Sequence, residues 1–115
     1  GLTHQQYADF ALRIGDEATA LQQAQQAVAL DATDGVAYGI LGWTQLQSGN
    51  LAAAETAFEQ AVNWQPNLAD FHLGLATVHF QQGNFSAAHQ AVQRSLALDP
   101  AFPPALSLQL QLQEK

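Results

Sequence analysis

At 115 residues, 48% of them apolar, the chain has the length and the material for a single hydrophobic core. Three Lys and Arg against ten Asp and Glu leave a net charge of −7, which excludes a cationic surface for nucleic acid or for anionic lipid headgroups. Cysteine is absent, so there is no disulfide frame and no thiolate nucleophile or zinc ligand, and no apolar run is long enough to span a bilayer or to form a signal peptide.

The chain also lacks methionine, even at position 1, as expected of a segment excised from a longer protein, in which case any targeting sequence would have gone with the rest. Cytoplasmic is then only the default expectation for its compartment. Ala occurs 22 times and Gln 17 times, both good helix formers, against 8 Gly and 4 Pro. Long helices with brief interruptions follow, and the expected class is all-α.

The interruptions are periodic. Gly15, Gly49 and Gly83 stand 34 residues apart, each followed by Asp or Asn: Asp16, Asn50 and Asn84. A glycine just past a helix end takes the left-handed cap conformation, and the Asp or Asn beside it accepts from the open N–H groups of the next helix. One domain over 1–115 therefore divides into units 1–34, 35–68 and 69–102, each an antiparallel helix pair. Apolar spacing predicts helices near 2–14, 17–30, 35–48, 51–64, 69–82 and 85–98. The same frame aligns small residues where helices cross: Ala8, Gly42 and Ala76; Ala20, Ala54 and Ala88; Ala27, Ala61 and Ser95. Leu30, Trp64 and Leu98 align near the unit ends, and Trp64 is expected in the core.

Pro103 and Pro104 suit the start of a seventh helix over 103–115. Its Leu106, Leu108, Leu110 and Leu112 alternate with period two, so a strand stays open as an alternative. As a helix it sets Leu106 and Leu110 on one side and Leu108 and Leu112 nearly opposite, with nothing evident to cover the second pair. That pair is the expected self-association edge, a route to a homo-oligomer.

Tyr38, Leu41, Gly42, Gly49, Ala54, Phe58, Ala61 and Pro66 in the second unit resemble the landmarks of the tetratricopeptide repeat. The third unit follows with Leu75, Ala76, Gly83, Ala88 and Pro100, carrying His72 and His79 for the two aromatics and Val92 for Phe. The first is more divergent, with His4, Ala24 and Ala32 at landmark positions. The resemblance covers 1–102 and implies a right-handed helical solenoid, or superhelix, of about seven helices, the last a capping helix. It also implies a protein-interaction scaffold in an assembly or adaptor role, with a structural or self-associating stretch of a longer solenoid as the alternative.

Residues for other chemistry are poorly placed. His72 and His79 lie seven apart rather than at the i, i+4 spacing of H-E-x-x-H, and they hold the family's inward aromatic positions, so they are expected near the core and not on a metal. Ser48, Ser86, Ser95 and Ser107 sit in no nucleophile motif, and Lys115, the only lysine, cannot complete a phosphate-binding loop. Glu55 and Glu59, one turn apart, read as an outer charge pair. Asp9 and Arg13 read as helix support at i, i+4. No enzyme activity, metal or cofactor is expected.

In the family the first helices of successive units line a concave face. By resemblance the ligand groove comprises Leu2, Gln5, Asp9, Leu12 and Arg13; Val36, Gly39, Trp43, Leu46 and Gln47; and Asp70, Leu73, Thr77, Phe80 and Gln81. Trp43 is expected to stand partly exposed beside a gap left by Gly39, making a pocket with Leu73 and Phe80, unless its own ring fills that gap. The positions where one subgroup clamps acidic chaperone tails are Gln5, Asp9, Ile40, Asp70 and Gly74 here, none cationic. The expected partner is an apolar, neutral or basic peptide or helix of another protein, not nucleic acid, with no insertion into a membrane.

Overall fold

Residues 17–114 are described by the computed structural model, and among them there are six helices and no strand. These are α1 (Glu17–Leu30), α2 (Gly35–Gln47), α3 (Leu51–Trp64), α4 (Ala69–Gln81), α5 (Phe85–Leu98) and α6 (Pro103–Gln113). The helix expected over 2–14, with Gly15 and Asp16, lies outside the described residues. No helix among the described residues is long and apolar enough to cross a membrane.

The periodic glycines act as the spacing requires. Gly49 and Gly83 both take φ of +82° just past α2 and α4. The N–H of Gly49 donates to the Leu46 carbonyl and that of Asn50 to the Gln45 carbonyl, and Gly83 and Asn84 repeat the pair onto Phe80 and His79. These paired bonds close the last turn and satisfy carbonyls that a helix end leaves open. On the entry side, the Asp34 side chain accepts from the Ala37 N–H at 3.2 Å, and Asn50 accepts more distantly from Ala53 at 3.5 Å.

Each helix packs against its neighbours in sequence, and α2, α4 and α6 also pack in series, whereas α1, α3 and α5 make no close backbone approach to one another. Two rows result: an inner row of first helices and an outer row of second helices. Frame positions 3, 6 and 10 of each inner helix bury against the preceding unit: Ala37, Ile40 and Thr44 on α2; Phe71, Gly74 and Val78 on α4; Ala105, Leu108 and Leu112 on α6.

Side-chain volume at these junctions is exchanged, not repeated. Phe58 of α3, fully buried, lies in a notch made by Gly42 and Gly74, where an added Cβ would stand 2.9 and 2.3 Å from its ring. One unit earlier the equivalent partners are Ala24 and Ile40, which share a buried cluster, and one unit later they are Val92 and Leu108. A second exchange pairs Gly39 with Phe71, then Leu73 with Ala105. Large meets small in every pair except Val92 with Leu108, where two branched aliphatic side chains share the space, as close packing allows.

Buried polar groups bond across or along the helices. Thr44 Oγ1 donates to the Ile40 carbonyl at 2.8 Å, and Ser95, where the other units have Ala, donates across to Ala69 at 2.9 Å. His72 is buried and its Nε2 donates to the Pro66 carbonyl at 2.9 Å, and His79 is half-buried. Both histidines therefore occupy core or near-core positions.

Two sequence expectations are corrected. Trp64 is 45% exposed rather than core, and Leu30 and Leu98 at the equivalent sites are exposed as well. These residues close the outer helices, which do not pack on one another, so no described element covers them. On α6, Leu108 and Leu112 are buried while Leu106 and Leu110 are exposed, Leu110 by 63%. The reason is that α6 docks with the face that α2 and α4 use, so the expected self-association edge is interior.

Candidate functional site

A helix advances about 100° per residue, so frame positions 2, 9 and 13 share one face of each inner helix. On α2 these are Val36, Trp43 and Gln47, and on α4 they are Asp70, Thr77 and Gln81. Gln47, Asp70 and Gln81 are exposed, and Val36, Trp43 and Thr77 are half-buried. Positions 5 and 12 sit about a fifth of a turn round, toward the next unit. That rotation buries Gly39 beneath the Phe71 ring, Leu46 against Ala54, Phe58 and Val78, and Leu73 beside Ala105. Gly39, Leu46 and Leu73 thus belong to the junctions, not to an open groove wall. Leu2, Gln5, Asp9, Leu12 and Arg13 lie outside the described residues.

Trp43 is the centre of the described surface. Its Nε1 donates to Asp70 Oδ2 at 2.9 Å, joining α2 to α4 across the unit boundary. Its ring meets Phe58 edge to face, centroids 5.1 Å apart at 79°. The expected gap at Gly39 is filled by Phe71, so no Trp43 pocket opens there. Leu73, Trp43 and Phe80 nevertheless converge on one apolar cluster, and Phe80 also stacks edge-on against Phe85 at 5.6 Å. Thr77 spends its hydroxyl on the Leu73 carbonyl at 2.9 Å.

The spacing showed that Trp43 is unusual but not which acceptor takes its N–H, because Asp70 lies 27 residues away. Sequence reasoning also stopped the inner face at unit three. Extending the frame by one more period adds exposed Pro104 and Gln111 of α6 to it. Asp70 is the only charged side chain among these described inner-face positions.

Acid and base groups do not assemble into a reaction centre among the described residues. Glu55 Oε1 approaches His79 Nδ1 at 3.6 Å, linking α3 to α4, while Glu59 is exposed on α3. No group of three or more His, Cys, Asp or Glu gathers where an ion could be held among those residues.

A sequence profile described as tetratricopeptide repeat matches residues 45–112. A 59-residue stretch is 36% identical to Cellulose synthase operon protein C of Komagataeibacter sucrofermentans, over 51% of this chain and 4% of that protein. This chain therefore spans only a small part of that relative's length. In structure it is similar to the Arabidopsis OM64 TPR domain (TM-score 0.92, 15% identity, 96% of this chain and 92% of that one). It is similar as well to the second TPR domain of human RPAP3, determined in complex with the HSP70 peptide SGPTIEEVD (TM-score 0.90, 16% identity, 98% and 94%). The helix pairs, their glycine-capped turns and the two-row packing account for these matches: the chain belongs to the tetratricopeptide repeat family, whose fold serves protein–protein interaction.

Proposed function

We propose that this chain is a binding scaffold whose inner face, over α2, α4 and α6, holds a neutral or basic segment of another protein, extended or helical. The observation that carries this reading is the Trp43–Asp70 bond, which fixes a carboxylate and an indole side by side on that face. An aromatic face next to a carboxylate favours a Lys or Arg side chain, through cation–π attraction and ion pairing together. Around it, Gln47, Gln81 and Gln111 offer amide groups that bond a peptide backbone without demanding charge.

The same geometry argues against an acidic tail of the kind bound by the RPAP3 domain. Ile40, Asp70 and Gly74 occupy three of the clamp positions and supply no cation, and a carboxylate desolvated beside Asp70 would be repelled. Like charge there suppresses the wrong partner while leaving the basic one attracted.

The test is selection from a random peptide library on the immobilised protein. Enriched sequences are expected to be apolar with net positive charge, and Asp70→Lys is expected to shift the selection toward acidic sequences. Enrichment of acidic C-termini by the unmodified protein would sink the proposal. Trp43→Phe, which keeps the contact with Phe58 but removes the N–H donor, is expected to weaken selected peptides about tenfold while helicity is retained.

A further inference from the structure

The bond between Trp43 and Asp70 joins frame position 9 of one inner helix to frame position 2 of the next. That packing repeats one unit on, because α6 docks on α4 through the same frame positions that α4 uses on α2. The next pair in register is therefore Thr77 of α4 and Pro104 of α6, each 34 residues further along the chain. Its chemistry differs. The Thr77 hydroxyl donates to the Leu73 carbonyl at 2.9 Å, and Pro104 carries neither an N–H nor a charge. A charged side chain desolvated over this second pair finds no counter-charge in it, whereas a small apolar side chain loses little by leaving water.

Distance then sets a register. Packed helices lie about 8–10 Å apart axis to axis, so the two boundaries are separated by about that much. An extended chain rises about 3.3 Å per residue and covers the interval in about three residues. A helix, at about 1.5 Å per residue, needs about six or seven. The amides favour the extended form. Gln47 and Gln81 hold the same exposed frame position on neighbouring inner helices, and Gln111 is exposed on the third. An extended segment leaves its backbone N–H and C=O groups open to these side chains, whereas a helix has already paired its own.

We infer that the inner face selects an extended segment with Lys or Arg at the Trp43–Asp70 boundary and, three residues away, a small apolar residue over Thr77 and Pro104. This rests on the inner-face reading above and adds to it a conformation, a spacing and a second specificity position. Charge complementarity supports the occupant: Asp70 is the only charged side chain among the described inner-face positions, and the chain as a whole carries −7. Pro104 is the second residue of α6, as Asp70 is of α4. An acidic side chain suits the first turn of a helix, so Pro104→Asp copies the carboxylate of the first boundary into the second and leaves α6 intact.

Fluorescence anisotropy with labelled fifteen-residue peptides tests the register. Each peptide has a central Lys in a Ser background, with Val or a second Lys placed two to seven residues away on either side. The unmodified protein is expected to bind best when Val stands three residues from the Lys on one side, and to bind the double-Lys peptide of that spacing about threefold more weakly. In Pro104→Asp that order is expected to reverse at a spacing of three and to stay as it was at the others. A preference for the central Lys over norleucine, lost in Asp70→Asn, reports the inner-face reading by itself, and its absence overturns that reading and the register together. A Lys preference that is kept while binding ignores the position of Val, peaks at a spacing of seven, or responds to Pro104→Asp equally at every spacing overturns the register alone.

Discussion

Phe58 illustrates how much one side chain can carry when its neighbours have none. Its ring touches Gly42 and Gly74 so closely that alanine at position 74 would set a carbon 2.3 Å from it. Gly74→Ala is therefore an overpacking change, expected to cost about 1–3 kcal/mol in chemical denaturation. Phe58→Ala empties the same notch and is expected to cost about 3–5 kcal/mol. Phe58→Leu combined with Gly74→Ala is expected to cost less than the two single changes added together, since each relieves the other. Independent, additive costs would show that the ring does not occupy the notch. The sequence marked Gly42 and Phe58 as landmarks by their spacing. It left Gly39 as an open gap, because spacing reveals a missing side chain but not the ring of Phe71, 32 residues on, that occupies the space.

At the level of elements, capping chemistry and apolar period located every described helix within a residue or two of its expected bounds, because both signals are local. What α6 packs against is not local. Its four alternating leucines admit two faces, and the choice between them follows from the docking of α4 one unit earlier: positions 3, 6 and 10 of an inner helix face backward along the array. Continuing the 34-residue frame past residue 102 would have assigned Leu108 and Leu112 to the interior. Leu108→Ala is accordingly expected to cost about 2–5 kcal/mol, and Leu110→Ala less than about 0.5 kcal/mol, by thermal or denaturant unfolding. Trp64 went astray for a related reason. Its register was read correctly, but exposure at that register is set by the separation of the outer helices, which no single helix encodes.

At the scale of the whole molecule, stability is distributed along a line of junctions, since among the described residues each unit touches only the ones beside it. The Phe58 junction joins α1–α3 to α4–α6, so Phe58→Ala is expected to let the two halves open separately. Native-state hydrogen exchange would then show the amides of α2 losing protection before those of α5, whereas uniform loss along the chain would contradict a linear array. The candidate site was only partly legible for the same reason. The described part of the inner face follows from the frame, and its lack of cations from counting. The bond that organises it joins Trp43 to Asp70 across a unit boundary, a relation that exists only once the units have stacked.

The paired exchange of large and small side chains also bears on how such a chain can change length. Suppose unit 2 were copied in tandem by a duplication within its gene. Phe58 of the first copy would then face a second Ile40 in place of Gly74, and Gly39 would face a second Ala37 in place of Phe71. The new seam would be overfilled at one point and hollow at the other. A unit here carries the mould of its particular successor, so this array can grow by inheritance only where a matching neighbour is copied with it.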